Sequence, residues 1–202
     1  MVAGRRGRPM PLGPFTRRGL LVGSVLALAS GCSFDGQGVV TSAGAVIEEI
    51  PRGGRPRLPR FVGDTLEGGH VDTDRLEGSV RLFNIWGSWC GPCREEAPAL
   101  RRAHEEFAPR GVAFVGVDVR DNDAAARAFE DSFGIVYPSI ASDSAGPALQ
   151  ALGTVLPQNA VPATVIARAD GRVTARVVGA GTYATFKALL ESALRESVAP
   201  AP

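Results

Sequence analysis

Cys90 and Cys93, within Trp89-Cys90-Gly91-Pro92-Cys93, are the residues of this 202-residue chain whose types and spacing best support chemistry. Two intervening residues let one helical turn bring both sulfurs within disulfide range. The same spacing suits half of a zinc site or an inert structural disulfide, so the pair alone leaves three chemistries open. A tetrahedral zinc site needs two more ligands, and His70 and His104 are the only histidines. His104 lies 11 residues after Cys93 on the same expected helix, which makes a shared ion awkward. Residue 94 is Arg, so the haem-attachment pattern ending in His is not met. No metal ligand set and no cofactor beyond the Cys90–Cys93 pair is expected.

The flanking pattern says which element must hold the pair. Val80-Arg81-Leu82-Phe83-Asn84-Ile85 is a dense apolar run suited to a central strand, and a helix is expected from about Cys93 to Phe107. A thiol at that junction meets unpaired N–H groups and the positive end of a helix dipole, which favour thiolate. Its pKa falls below the free value of about 8.5, towards about 7 or less, so Cys90 is the expected attacking sulfur and Cys93 the resolving one. At 100° per residue Glu96, Leu100, Ala103 and Phe107 share one stripe, while Glu95 and Arg101 point elsewhere. Desolvation on that face raises the pKa of Glu96 and suits it to pass a proton; the plainer reading is an acid that favours the helix N-terminus. Pro98 removes one helical N–H, and a kink is expected there.

Further elements follow the same periodicities. A hairpin is expected around Leu66 to Val71, a second buried strand over Val112–Val117, a helix capped by Asp123 running to Phe133, and a short helix over Gly146–Leu152. Ala163–Arg168 and Val173–Val178, joined by Ala169-Asp170-Gly171-Arg172, form an antiparallel hairpin, and a last helix spans about Thr182 to Arg195. The order implies an α/β fold: a mixed central sheet with helices on both faces and an N-terminal β-hairpin extension.

Residues 1–31 carry Arg5, Arg6, Arg8, Arg17 and Arg18 and no acid; the rest holds 17 basic against 21 acidic residues, about −4. Nothing in that balance suggests a nucleic-acid surface. Arg17-Arg18 precedes an apolar stretch of 11 residues, too short to span a bilayer, which ends in Ser30-Gly31-Cys32. The arrangement resembles a bacterial lipoprotein signal, with Ala29 a departure from the usual Leu, and implies that Cys32 is acylated. Thr16-Arg17-Arg18-Gly19-Leu20-Leu21 also resembles a twin-arginine export signal. An uncleaved signal anchor is the rival reading. The expected organisation is a signal peptide over 1–31, a Gly- and Pro-rich tether over 32–56, a folded domain over 57–197 and a disordered tail over 198–202. With one cysteine acylated, the other two form an even pair suited to an oxidising compartment.

Leu82 to Pro98 and Val161-Pro162-Ala163-Thr164 resemble thioredoxins, and more closely the TlpA/ResA-type extracytoplasmic branch, over roughly residues 57–197. That resemblance implies the thioredoxin fold, a cis-proline at Pro162 beside the active pair, and open backbone at Val161 for substrate pairing. Asn84 stands where cytoplasmic thioredoxins carry a buried Asp, and Glu96 matches the acid of the TlpA/ResA-type branch. Trp89, Gly91 and Pro92 are expected to contact the partner, and Trp86 and Trp89 to flank the disulfide. The implied activity is extracytoplasmic thiol–disulfide exchange, reducing disulfides of exported proteins such as apocytochrome c. A membrane electron donor would recharge the protein, which is read as a monomer held to the cell membrane by lipid. A dithiol oxidase is the alternative, then a peroxidase of the same fold or a metal-delivery module.

Overall fold

The structure, a computed structural model, describes residues 39–40 and 44–198. Strands β1 (Val39–Val40), β2 (Val46–Glu49), β3 (Val62–Asp64), β4 (His70–Asp72) and β5 (Val80–Trp86) precede the first helix, α1 (Gly91–Phe107). Then come β6 (Val112–Asp118), α2 (Asp123–Phe133), β7 (Ser139–Ile140), α3 (Gly146–Leu152), β8 (Ala163–Ala167), β9 (Val173–Val178) and α4 (Tyr183–Val198). The main sheet runs β1-β2-β9-β8-β5-β6-β7; β5 pairs in parallel with β6 and antiparallel with β8. This mixed sheet between helices is the thioredoxin fold that the sequence led one to expect.

Every residue of β5 is buried, as suits a central strand covered on both faces. Alternation then divides its side chains. Val80 and Leu82 join Leu100, Ala103 and Phe107 of α1 and Phe186, Leu189, Leu190 and Ala193 of α4 in one core. Phe83 and Ile85 join Ala148, Ala151 and Leu152 of α3, with Phe61 and Val71 beside them, in the other. Asn84 and Trp86 stand in step with Leu82, and Trp86 stacks on Phe129 of α2 at 4.5 Å between ring centroids.

The hairpin expected around Leu66 to Val71 is β3 and β4, with Asp64 opposite His70. Three expectations are corrected. Residues 44–56 are not a loose tether: β2 pairs with β9 from Val46↔Val178 to Glu49↔Ala175, and the Arg55 guanidinium is bonded to Glu196 of α4. Gly and Pro density hid a short strand, seated between β1 and β9, whose β9 partner lies over 120 residues away. The cap of α2 is Asn122, whose Oδ1 accepts from the N–H of Ala125 at 3.0 Å; Asp123 is the first helical residue. The last helix runs through Val198, past the expected end at Arg195. The signal over 1–31, Cys32 and its lipidation, and residues 199–202 of the expected tail lie outside the described residues. Among the described residues no helix is long and apolar enough to cross a membrane.

Candidate active site

Cys90 is the N-cap of α1, in extended backbone, and its Sγ accepts from the N–H of Cys93 at 3.2 Å. The two cysteines are joined as a disulfide with Cα atoms 5.3 Å apart, and both are buried. Pro92 sits in the first turn, where its missing N–H has no helical partner to lose. The Cys93 N–H is thus the helix-end donor aimed at Sγ of Cys90, and such a donor at the positive end of a helix dipole favours thiolate over thiol once the pair is reduced.

The loop before Cys90 is tied at several points. The Cys90 N–H bonds the Gly87 carbonyl at 3.0 Å, and the Ser88 N–H bonds Oδ2 of Asp121 at 2.6 Å. Arg94 reaches back to the Ser88 carbonyl with Nε at 3.0 Å and Nη2 at 2.6 Å. Trp89 donates Nε1–H to the Val119 carbonyl at 3.0 Å, yet its side chain stays 49% exposed beside Cys90. A Cβ at residue 87 would stand 2.5 Å from Nε1 of Trp89, so this close approach needs glycine.

Beneath the disulfide lies a buried polar group set. Glu96 is 2% exposed on α1, one turn after Cys93, on the buried stripe with Leu100, Ala103 and Phe107. Its Oε1 accepts from Nδ2 of Asn84 at 2.8 Å, and its Oε2 from the N–H of Gly181 at 2.9 Å. Asn84 also donates to Oγ1 of Thr164 at 3.1 Å, its register partner on β8. Burial pushes the Glu96 carboxyl up to about 7, while the bonds from Gly181 and Asn84 oppose the shift. Gly181 is bare because a Cβ there would stand 2.3 Å from Cζ of Phe186.

The Val161–Pro162 peptide is cis. Pro162 is buried at the start of β8, and Val161 packs against the cluster containing Cys90, Cys93 and Trp86. The fold thus brings together Cys90, Cys93, Glu96, Trp89 and Val161-Pro162, with Gly91 and Pro92 exposed on the first turn of α1. His70 is exposed and bonds Asp64, and the His104 ring packs on Phe114 and Tyr137, so neither approaches the cysteine cluster. Among the described residues no group of three or more His, Cys, Asp or Glu could hold a metal.

Three features escape sequence reasoning. The Gly181 bond comes from a loop 85 residues downstream, and no local pattern announces it. Asn84, read from sequence only as a lost acid, orients Glu96. Asp118, at the end of β6 opposite Trp86, is fully buried, and neither carboxylate oxygen has a hydrogen-bond partner among the described residues. Burial, and then the charge of Asp121, push its carboxyl up to about 7. The signal available for Asp118 was an acid closing a run of five apolar residues and Gly in Val112–Val117.

The family described as AhpC/TSA matches residues 55–176. The chain is 28% identical over 168 residues to the thiol-disulfide oxidoreductase ResA of Bacillus subtilis, covering 83% of this chain and 86% of that protein. Among solved structures it is similar to a secreted thiol-disulfide isomerase from Corynebacterium glutamicum, at 30% identity and a TM-score of 0.66, covering 79% of this chain and 97% of that one. A DsbF homologue from Corynebacterium diphtheriae aligns at 26% identity and a TM-score of 0.67, over 77% and 98% of the two chains.

Proposed function

The chain belongs to the AhpC/TSA family and is a thiol-disulfide oxidoreductase of thioredoxin fold, and from that premise we propose that Cys90 and Cys93 form a dithiol that reduces disulfide bonds of exported proteins. The observation that carries this reading is the disulfide at the N-terminus of α1 with the buried carboxyl of Glu96 one turn below.

The Cys90 thiolate attacks one sulfur of the partner's disulfide. That S–S bond breaks, a Cys90–partner disulfide forms, and the partner's other sulfur leaves as thiolate and takes a proton from water. Cys93 gives its proton to the Glu96 carboxylate and attacks Sγ of Cys90. The mixed disulfide breaks, the Cys90–Cys93 disulfide forms, and the second partner thiolate collects a proton. Two electrons have passed from the dithiol to the partner, and a membrane donor dithiol returns them. A carboxyl near 7 matches this duty, because a general base works best when its pKa is close to the working pH. Val161, with the cis bond after it, offers backbone to an extended partner segment, while Trp89, Gly91 and Pro92 supply exposed contact.

Gly91-Pro92, the dipeptide of reducing thioredoxins, supports the reducing direction, and apocytochrome c is the exported substrate that the resemblance of Leu82 to Pro98 to the TlpA/ResA-type branch implies. The basic and apolar leader ending at Cys32 supports a lipid anchor on the outer side of the cell membrane. The test is capture: Cys93→Ala in the native host should accumulate a dithiothreitol-sensitive adduct that the Cys90→Ala, Cys93→Ala double variant lacks. No adduct, or an equal adduct in both, defeats the exchange mechanism.

A further inference from the structure

A groove of about 440 Å³ runs away from the Val161–Pro162 bond between the chain after β6, α3 and the segment before β8. Ile85, Leu149, Leu156 and Val161 give it an apolar lining, and Arg120 and Asn159 are its polar residues of most consequence. Leu149 is 39% exposed and Trp89 49%, so two of the large apolar side chains left open to solvent border the same region. Exposed apolar surface rimmed by polar groups marks sites of association.

Arg120 joins the groove to the cysteines. Its guanidinium lies over the Trp89 ring, 4.6 Å from the centroid, and Trp89 directly precedes Cys90. It is exposed and has no carboxylate partner among the described residues. Several other described arginines do have one, as Arg55 has Glu196 and Arg176 has Glu48, while Arg75, Arg94, Arg102 and Arg172 share the lack. The backbone adds a separate sign. Arg120 at φ 53° and Asn159 at φ 60° are the non-glycine residues with left-handed backbone among the described residues, and both line this groove. Asparagine tolerates that region, but for arginine it is costly, and such strain gathers where a side chain must be aimed.

We propose that this groove selects the partner: it takes an aliphatic side chain flanking the partner's reacting cysteine, while Arg120 pairs with a carboxylate next to it. The occupant is an extended segment of a protein substrate, since Val161 connects the groove to the backbone beside the disulfide. The choice of an acidic segment rests on charge complementarity with the unpaired Arg120. The whole described domain region is net acidic by sequence, so long-range attraction would not favour such a segment, and a preference for it must arise locally. This inference rests on the dithiol reading above and narrows its substrate class.

The test uses the reduced full chain and short peptides carrying one cysteine as a mixed disulfide with 2-mercaptoethanol, flanked by Leu and Asp, Leu and Lys, or Gly and Asp in both orders. Exchange with Leu and Asp should be roughly three- to fivefold faster than with Leu and Lys, the scale of a partly exposed ion pair, and roughly tenfold faster than with Gly and Asp. In Arg120→Gln the Asp-to-Lys ratio should fall to about one, and in Leu149→Ser the Leu-to-Gly ratio should shrink. Ratios within one preparation cancel any general change in Cys90 reactivity. Equal rates for all peptides in the parent, or ratios unmoved by both substitutions, overturn the proposal. A parent that also fails to reduce 2-hydroxyethyl disulfide overturns the dithiol reading itself.

Discussion

Oε1 of Glu96 accepts a hydrogen bond from Nδ2 of Asn84 at 2.8 Å, which ties the helix carrying the cysteines to the central strand beneath it. Both residues are 2% exposed, so the bond lies in a medium that strengthens it and that penalises the ionised carboxylate. Asn84 holds the group in place while remaining unable to titrate. Of the two bonded residues only Glu96, on α1, can take up or release a proton.

Glu96→Gln should slow release of the mixed disulfide by about 10²-fold and remove the inflection near pH 7 from its rate profile, read by stopped-flow with a disulfide peptide. The same variant should change stability. The folded carboxyl titrates at about 7 against an ordinary 4.5, so the folded chain holds this proton more tightly than the unfolded chain. Its stabilising effect is present below about 4.5 and is lost as pH rises through 7, and Glu96→Gln should gain on the parent across that window by on the order of 3 kcal/mol in urea titrations.

Asn84→Ala removes a bond that lowers the Glu96 pKa, so the kinetic inflection should move to higher pH. Leaving a buried carboxyl with one partner fewer should also cost ~1–3 kcal/mol at pH 8. An unmoved inflection would mean that a group other than Glu96 sets it.

The two cysteines, the acid on the buried stripe and the cis-proline were all legible in the sequence, because each depends on local spacing or on a short motif. The helix stripe needs only 100° per residue, and it correctly separated Glu96 from the exposed Glu95 and Arg101. The Gly181 bond, the pairing of β2 with β9 and the Arg55–Glu196 contact were not legible, since each joins segments 85 to 141 residues apart. Asp123 was misplaced by one residue because Asn122 and Asp123 both make good caps, and only the backbone conformation separates them.

Gly181→Ala tests the distant support of the acid. The added Cβ would stand 2.3 Å from the Phe186 ring, and the loop must shift, weakening its N–H bond to Glu96. Melting should show a loss of ~1–3 kcal/mol, and the pH inflection of exchange should rise, because that bond opposes the burial shift.

Asp118→Asn should leave the disulfide intact and alter the pH dependence of stability. The Asp118 carboxyl has no hydrogen-bond partner among the described residues and titrates at about 7, far above its ordinary 3.8. From pH 5 to 8 the difference in unfolding free energy should therefore move towards the variant, by ~2 kcal/mol on the scale of 1–2 pKa units. A flat difference would show that Asp118 stays in one protonation state throughout.

The direction of electron flow is tested most directly by the reduction potential of the Cys90–Cys93 couple, equilibrated in glutathione or dithiothreitol buffers and read by thiol alkylation. A reductant of exported proteins should give about −250 mV or lower, near the thioredoxin value. A potential near about −120 mV, that of a strong dithiol oxidant, would contradict the account and reverse the direction proposed for the pair.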